Sequence, residues 1–68
     1  MQWLSEYDAS QYHEWDFIFA TAEEAQRAKT GLAAAGISCG SIGRSDTISV
    51  DTLPGRRPEY VVAVLQAI

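Results

Sequence analysis

The first 24 residues of this chain contain neither lysine nor arginine, although they carry Glu6, Asp8, Glu14, Asp16, Glu23 and Glu24. That segment holds a formal charge of −6, against +2 for residues 25–68 and −4 for the whole. A surface so one-sided repels nucleic acid and attracts basic partners. Cysteine is nearly absent: Cys39 alone cannot close an intramolecular disulfide, and it suits a reducing compartment. No apolar run approaches the roughly 20 residues that cross a bilayer. Residues 60–68, the most apolar stretch, are too short and wrongly placed for a signal peptide. A soluble, cytoplasmic protein is expected.

Catalytic and metal-binding motifs are also missing. His13 and Cys39 are the only strong soft-metal ligands, single and far apart in sequence, whereas structural zinc wants four ligands in close pairs. Cys39 with His13 as base could form a nucleophile. Its place among Ile37 and Ile42 in a strand pattern instead marks it as a small buried hydrophobe. Gly36, Gly40 and Gly43 match neither a phosphate-binding loop nor a dinucleotide fingerprint. Paired carboxylates would need a pocket to act as acid and base, and 68 residues leave little room for one. Arg56–Arg57 is the only basic doublet, a poor nucleic-acid footprint that could offset nearby acids or dock on the negative segment. No enzyme activity, cofactor or metal is expected.

What is present is a core. With 47% hydrophobic residues the chain is globular rather than disordered, and its length makes residues 1–68 one small domain near the lower size limit. The stretch Trp15–Gly36 organises it. In Trp15–Asp16–Phe17–Ile18–Phe19 the aromatics fall at every second position, the period of a strand with one buried face. Thr21–Ala22–Glu23–Glu24 matches a capping box. Ala25, Ala28, Leu32 and Ala35 then recur at helical steps, and Gly36 supplies a left-handed stop. Gly31 inside this helix costs about 1 kcal/mol relative to alanine, so something is expected to approach closely there.

Ile37–Gly43 reads as a strand weakened by Gly40, and Thr47–Leu53 as a second, the two joined as a hairpin. Pro54–Gly55 stops the strand. Pro58 suits the first position of a helix with Val61, Val64, Leu65 and Ile68 on one face, although Tyr60–Val64 would also suit a strand. Residues 1–14 are ambiguous. They read equally as a hairpin strand turning at Asp8–Ala9–Ser10 or as a helix sharing Trp3, Leu4, Tyr7 and Gln11. The expected class is α+β: a small three- to four-stranded, mostly antiparallel sheet with two helices on one face. The first strand and the one after the helix would be parallel if adjacent.

Two resemblances follow. The pattern F-x-F…T-x-x-E-A…L-x-x-x-G-I, here Phe17, Phe19, Thr21, Glu24, Ala25, Leu32, Gly36 and Ile37, is similar to ferredoxin-like domains. It implies an incomplete β-α-β-β-α order, because the chain stops at Ile68 where that family has one more strand. In size, acidity and lack of any catalytic motif the chain also resembles the small phage-encoded anti-CRISPR proteins. That resemblance implies a monomer in the host cytoplasm that occupies the basic surface of a CRISPR effector, without touching nucleic acid itself. Those proteins share no signature, so no residue role carries over. The candidate contacts come from charge and aromatic content alone: Glu6, Asp8, Glu14 and Asp16, with Trp3, Tyr7 and Tyr12 as anchors. For each residue singly, a core aromatic or a solvated acid is the simpler account. The alternative function is a ferredoxin-like regulatory or assembly domain that self-associates or binds a small ligand.

Overall fold

A computed structural model describes residues 1–41 and 43–68. Two strands, β1 (Gln2–Asp8) and β2 (His13–Ile18), lead into helix α1 (Ala22–Ala34). Strands β3 (Gly40–Ser41) and β4 (Thr47–Thr52) and helix α2 (Glu59–Gln66) follow. The sheet order is β1-β2-β4-β3, and every neighbouring pair is antiparallel. The fold is α+β. The strands flanking α1, β2 and β3, are parallel to each other but not adjacent, because β4 lies between them. A fourth strand does exist, and it comes from in front of β2 rather than from behind α2.

The ambiguous opening segment is the hairpin strand. Its loop closes through the Ala9 N–H donating to the Tyr12 carbonyl at 2.8 Å. As a helix, the segment would have offered an incomplete apolar stripe. As a strand it satisfies its backbone against β2 and sets Trp3 across from Phe17. β3 is far shorter than the seven-residue strand read from Ile37–Gly43, of which Ile42 lies outside the described residues. Gly40 and Ser41 pair with Ser49 and Ile48, and before them Ile37 and Cys39 pack on the core without joining the sheet.

Alternation along β2 sorts the two faces. Trp15 and Phe17 stand opposite Val50 and Ile48 of β4 and are buried under the helices. Ala25, Ala28 and Leu32 of α1 and Val61 of α2 complete that core. Alanines at two of these sites let α1 lie close to the sheet. Gly31 has the expected neighbour: a Cβ there would overlap Cδ1 of Ile68 and stand 2.8 Å from its Cγ1. So α1 and the end of α2 touch backbone to side chain.

The caps form largely as the sequence implied. Thr21 accepts a hydrogen bond from the Glu24 N–H at 3.1 Å, although among the described residues the return bond from the Glu24 carboxylate is not made. At the other end Gly36 has φ +79°, and the Ile37 N–H reaches the Leu32 carbonyl at 2.8 Å. That is a Schellman stop, with Ile37 folded against the core. Pro58 sits one position earlier than expected, at the cap of α2, with its carbonyl accepting from Val61 and Val62.

One polar junction ties sheet to loop inside this core. The Trp15 indole N–H donates to Thr52 Oγ1 at 3.0 Å, and that hydroxyl donates to the Arg56 carbonyl at 2.9 Å. Thr52 is 5% exposed, so water cannot substitute. Replacing Thr52 by valine keeps the shape but leaves an indole donor and a carbonyl without partners. Unfolding in urea should show a loss of about 1–3 kcal/mol. Thr21→Ala should cost about 1 kcal/mol, and an unmoved midpoint would mean that α1 is not started by that hydroxyl.

Candidate functional site: the uncovered sheet face

Both helices pack on one side of the sheet, and among the described residues no helix or strand covers the other. The side chains there are set by register. Asp16 is flanked by Leu4 of β1 and Ser49 of β4, and Glu14 by Tyr7 and Asp51. Strict alternation in β1 would send Tyr7 to the helix side, but the register shifts between Ser5 and Tyr7. Glu6 is the extra residue in this bulge, and it puts two successive side chains, Glu6 and Tyr7, on the uncovered face. Beyond the bulge the parity is reversed, and Asp8 turns to the helix side.

The result is a patch of Glu6, Glu14, Asp16 and Asp51, bordered by exposed Leu4, Tyr7 and Tyr12. The Tyr7 and Tyr12 rings lie 5.9 Å apart at the hairpin end. None of the four strands contains lysine or arginine. Three of the four arginines are occupied elsewhere: Arg57 pairs with Glu59 at 2.7 Å and lies over the Trp3 and Trp15 rings, Arg56 lies over Tyr60, and Arg44 pairs with Asp46, while Arg27 lines the groove between the helices. Lys29 reaches Ser41 from α1.

Asp16 is the unusual member. The sequence reading makes it a solvated outer-face acid, yet it is only 4% exposed and its Oδ1 is shut off from solvent with no hydrogen-bond partner. Burial, first of all, pushes its carboxyl up to about 6 from 3.8. A hydrogen bond shared with the Glu6 carboxyl, and the charges of Glu6 and Glu14, push the same way.

The seven expected contact residues therefore divide. Glu6, Glu14, Asp16 and Tyr7 share the uncovered face, with Tyr12 at its end. Asp8 instead stands 3.5 Å from His13 Nδ1, whose ring stacks on Trp15 at 4.1 Å. Trp3 is half-buried on the helix side, edge-on to Trp15 at 5.7 Å. Asp51 was missed, because it lies outside the acidic opening segment and joins the patch only through pairing of β4 with β2. The signal for it is its place at alternate spacing from Val50 and Thr52, on the polar side of β4.

Cys39 is half-buried against the core and lines a hollow of about 430 Å³ beside Glu14 and Asp51. Carboxylates at its edge make a poor setting for a reactive thiol. Among the described residues no three His, Cys, Asp or Glu side chains come together as a metal site, and no helix is long and apolar enough to cross a membrane. A second groove, about 290 Å³, runs between α1 and α2 past Phe19, Arg27 and Leu65. No family model matches the chain, and no curated protein or solved structure matches it.

The raised Asp16 carboxyl has a consequence for stability. The folded protein holds that proton up to about pH 6, whereas the unfolded chain releases it near 3.8. Between these values the folded state binds more protons, so stability falls as pH rises from about 4 to 6 and is level above. Asp16→Asn should remove that slope and be more stable than wild type at pH 8, by up to ~3 kcal/mol. Parallel urea unfolding at pH 4, 6 and 8 checks this. Identical slopes in the two proteins would contradict it.

Proposed function

We propose that this protein is a non-catalytic, acidic inhibitor whose uncovered sheet face docks on the basic surface of a nucleic-acid-handling complex. The anti-CRISPR resemblance makes a CRISPR effector in a phage-infected host cytoplasm the first partner to test. The observation that carries the reading is the placement of Glu6, Glu14, Asp16 and Asp51 on one open face of a sheet whose strands hold no lysine or arginine. Carboxylates fixed on a rigid sheet imitate the charge of a phosphate backbone, and exposed Tyr7, Tyr12 and Leu4 offer anchoring area at its border. The protein acts as a monomer and as a stand-in for nucleic acid, without binding it. The assembly-domain alternative draws on a different feature, the free outer edge of the seven-residue β1.

The test holds net charge constant and moves its position. Glu6→Gln, Glu14→Gln and Asp51→Asn together change the charge by +3, as do Gln26→Lys, Ala33→Lys and Ala34→Lys on the exposed side of α1. Target-DNA binding by a panel of purified guide-loaded effectors is measured with each protein added. Wild type and the helix variant are expected to block at least one effector, with potency falling as salt rises. The sheet variant should be at least tenfold weaker. Equal potency of both variants would overturn the proposal. Failure on every effector, with self-association abolished by a proline in β1, would establish the assembly domain instead.

A further inference from the structure

We infer that the uncovered face receives one arginine side chain of the partner, its guanidinium bridging the Asp16, Glu6 and Glu14 carboxylates beside the Tyr7 ring. This rests on the docking reading above and names its central contact. An acidic patch alone would bind any diffuse positive charge. Here one carboxylate is more than nine-tenths buried, and its Oδ1 has neither solvent nor a donor. A buried acceptor left unpaired is costly and is rare in folded proteins. The donor that this atom lacks is therefore one that a partner would bring.

The chemistry of the surroundings selects the donor. Glu6 approaches Asp16 from the β1 bulge, Glu14 stands two positions before Asp16 on β2, and Asp51 of β4 lies beside Glu14. Ser49, on the other side of Asp16, is uncharged, and the hollow beside Glu14 and Asp51 adds only Tyr60 of α2 and the uncharged 36–40 segment. A divalent cation would need several oxygens converging at roughly 2.0–2.6 Å, and no such group forms among the described residues. A guanidinium spreads five N–H donors over a flat fork and so serves carboxylates that do not converge on a point. A lysine ammonium is a compact, strongly hydrated charge and leaves acceptors unserved. The exposed Tyr7 ring next to the patch gives the flat guanidinium a face to lie on. Glu6 is itself exposed, so its side chain is free to rearrange around an incoming guanidinium.

Seating the arginine also reverses the electrostatics of the site. In the free protein, burial and the neighbouring acids favour a proton on Asp16. A cation in contact favours its loss, so docking expels the proton and weakens as pH falls below about 6.

Nona-arginine and nona-lysine peptides, equal in charge, are the probes, with affinity measured by calorimetry at low ionic strength. Wild type at pH 8 should bind nona-arginine at least fivefold more tightly than nona-lysine, and should lose severalfold of that affinity at pH 5. Asp16→Asn, checked for folding by circular dichroism, should bring nona-arginine down to the nona-lysine level and remove the pH dependence. Independently of any variant, wild type at pH 6 should release protons on binding nona-arginine, read as a buffer-dependent heat. Equal affinity for the two peptides, or no proton release, overturns the socket. If Glu14→Gln with Asp51→Asn weakens both peptides while Asp16→Asn changes neither, the socket falls and the acidic docking face stands. If no variant changes either peptide, both fall. Saturable binding of calcium chloride at Asp16, tighter than nona-arginine, would make the patch a metal site and overturn the proposal.

Discussion

The burial of β2 between β1 and β4 is the constraint on which the rest of the molecule depends. Trp15 and Phe17 must face the helices, because they provide the largest apolar surface available to a very small core. A two-residue period then fixes Glu14 and Asp16 on the opposite side. No rearrangement of side chains can relieve this: sliding the strand by one residue would bury the acids under the helices and expose the aromatics. The helices reinforce the choice, since α1 offers mainly alanine and needs the bulk of Phe17 and Ile48 beneath it.

The bulge at Glu6 adds what alternation alone would not. It places Glu6 and Tyr7 on one face and sends Asp8 to the other, where it joins His13. Concentrating charge in this way works against stability, because carboxylates on neighbouring strands repel. The acidic patch is therefore not what holds the fold together. Stability comes from the helix side, from the Trp15–Thr52–Arg56 junction and from the caps of α1.

Much of the helix side was legible in the sequence. The aromatic alternation in β2, the Thr21 start, the Gly36 stop and the close approach at Gly31 each follow from local rules, and each is found where those rules put it. Residues 1–14 were not decidable alone, because their structure is settled by pairing with β2 and not by their own pattern. The extent of β3 was overestimated for the same reason: a strand's length depends on what its partner offers. For the site, charge counting found Glu6, Glu14 and Asp16 but not Asp51, which only sheet register brings in. It also set Asp8 and Trp3 among the contacts: a bulge, which turns Asp8 over, cannot be read from one strand's residues, and Trp3 faces the helices only through its pairing with Phe17.

The arginine socket proposed for the uncovered face turns on Asp16 being held buried against Glu6 and Glu14. The most direct measurement is a titration of the Asp16 side-chain carboxyl carbon by nuclear magnetic resonance in the free protein. The expected midpoint lies near pH 6, and Glu6→Gln should move it part of the way back toward 3.8, burial accounting for the remainder. A midpoint close to 4 in wild type, unchanged by Glu6→Gln, would mean that the carboxyl is open to water, and would contradict the account.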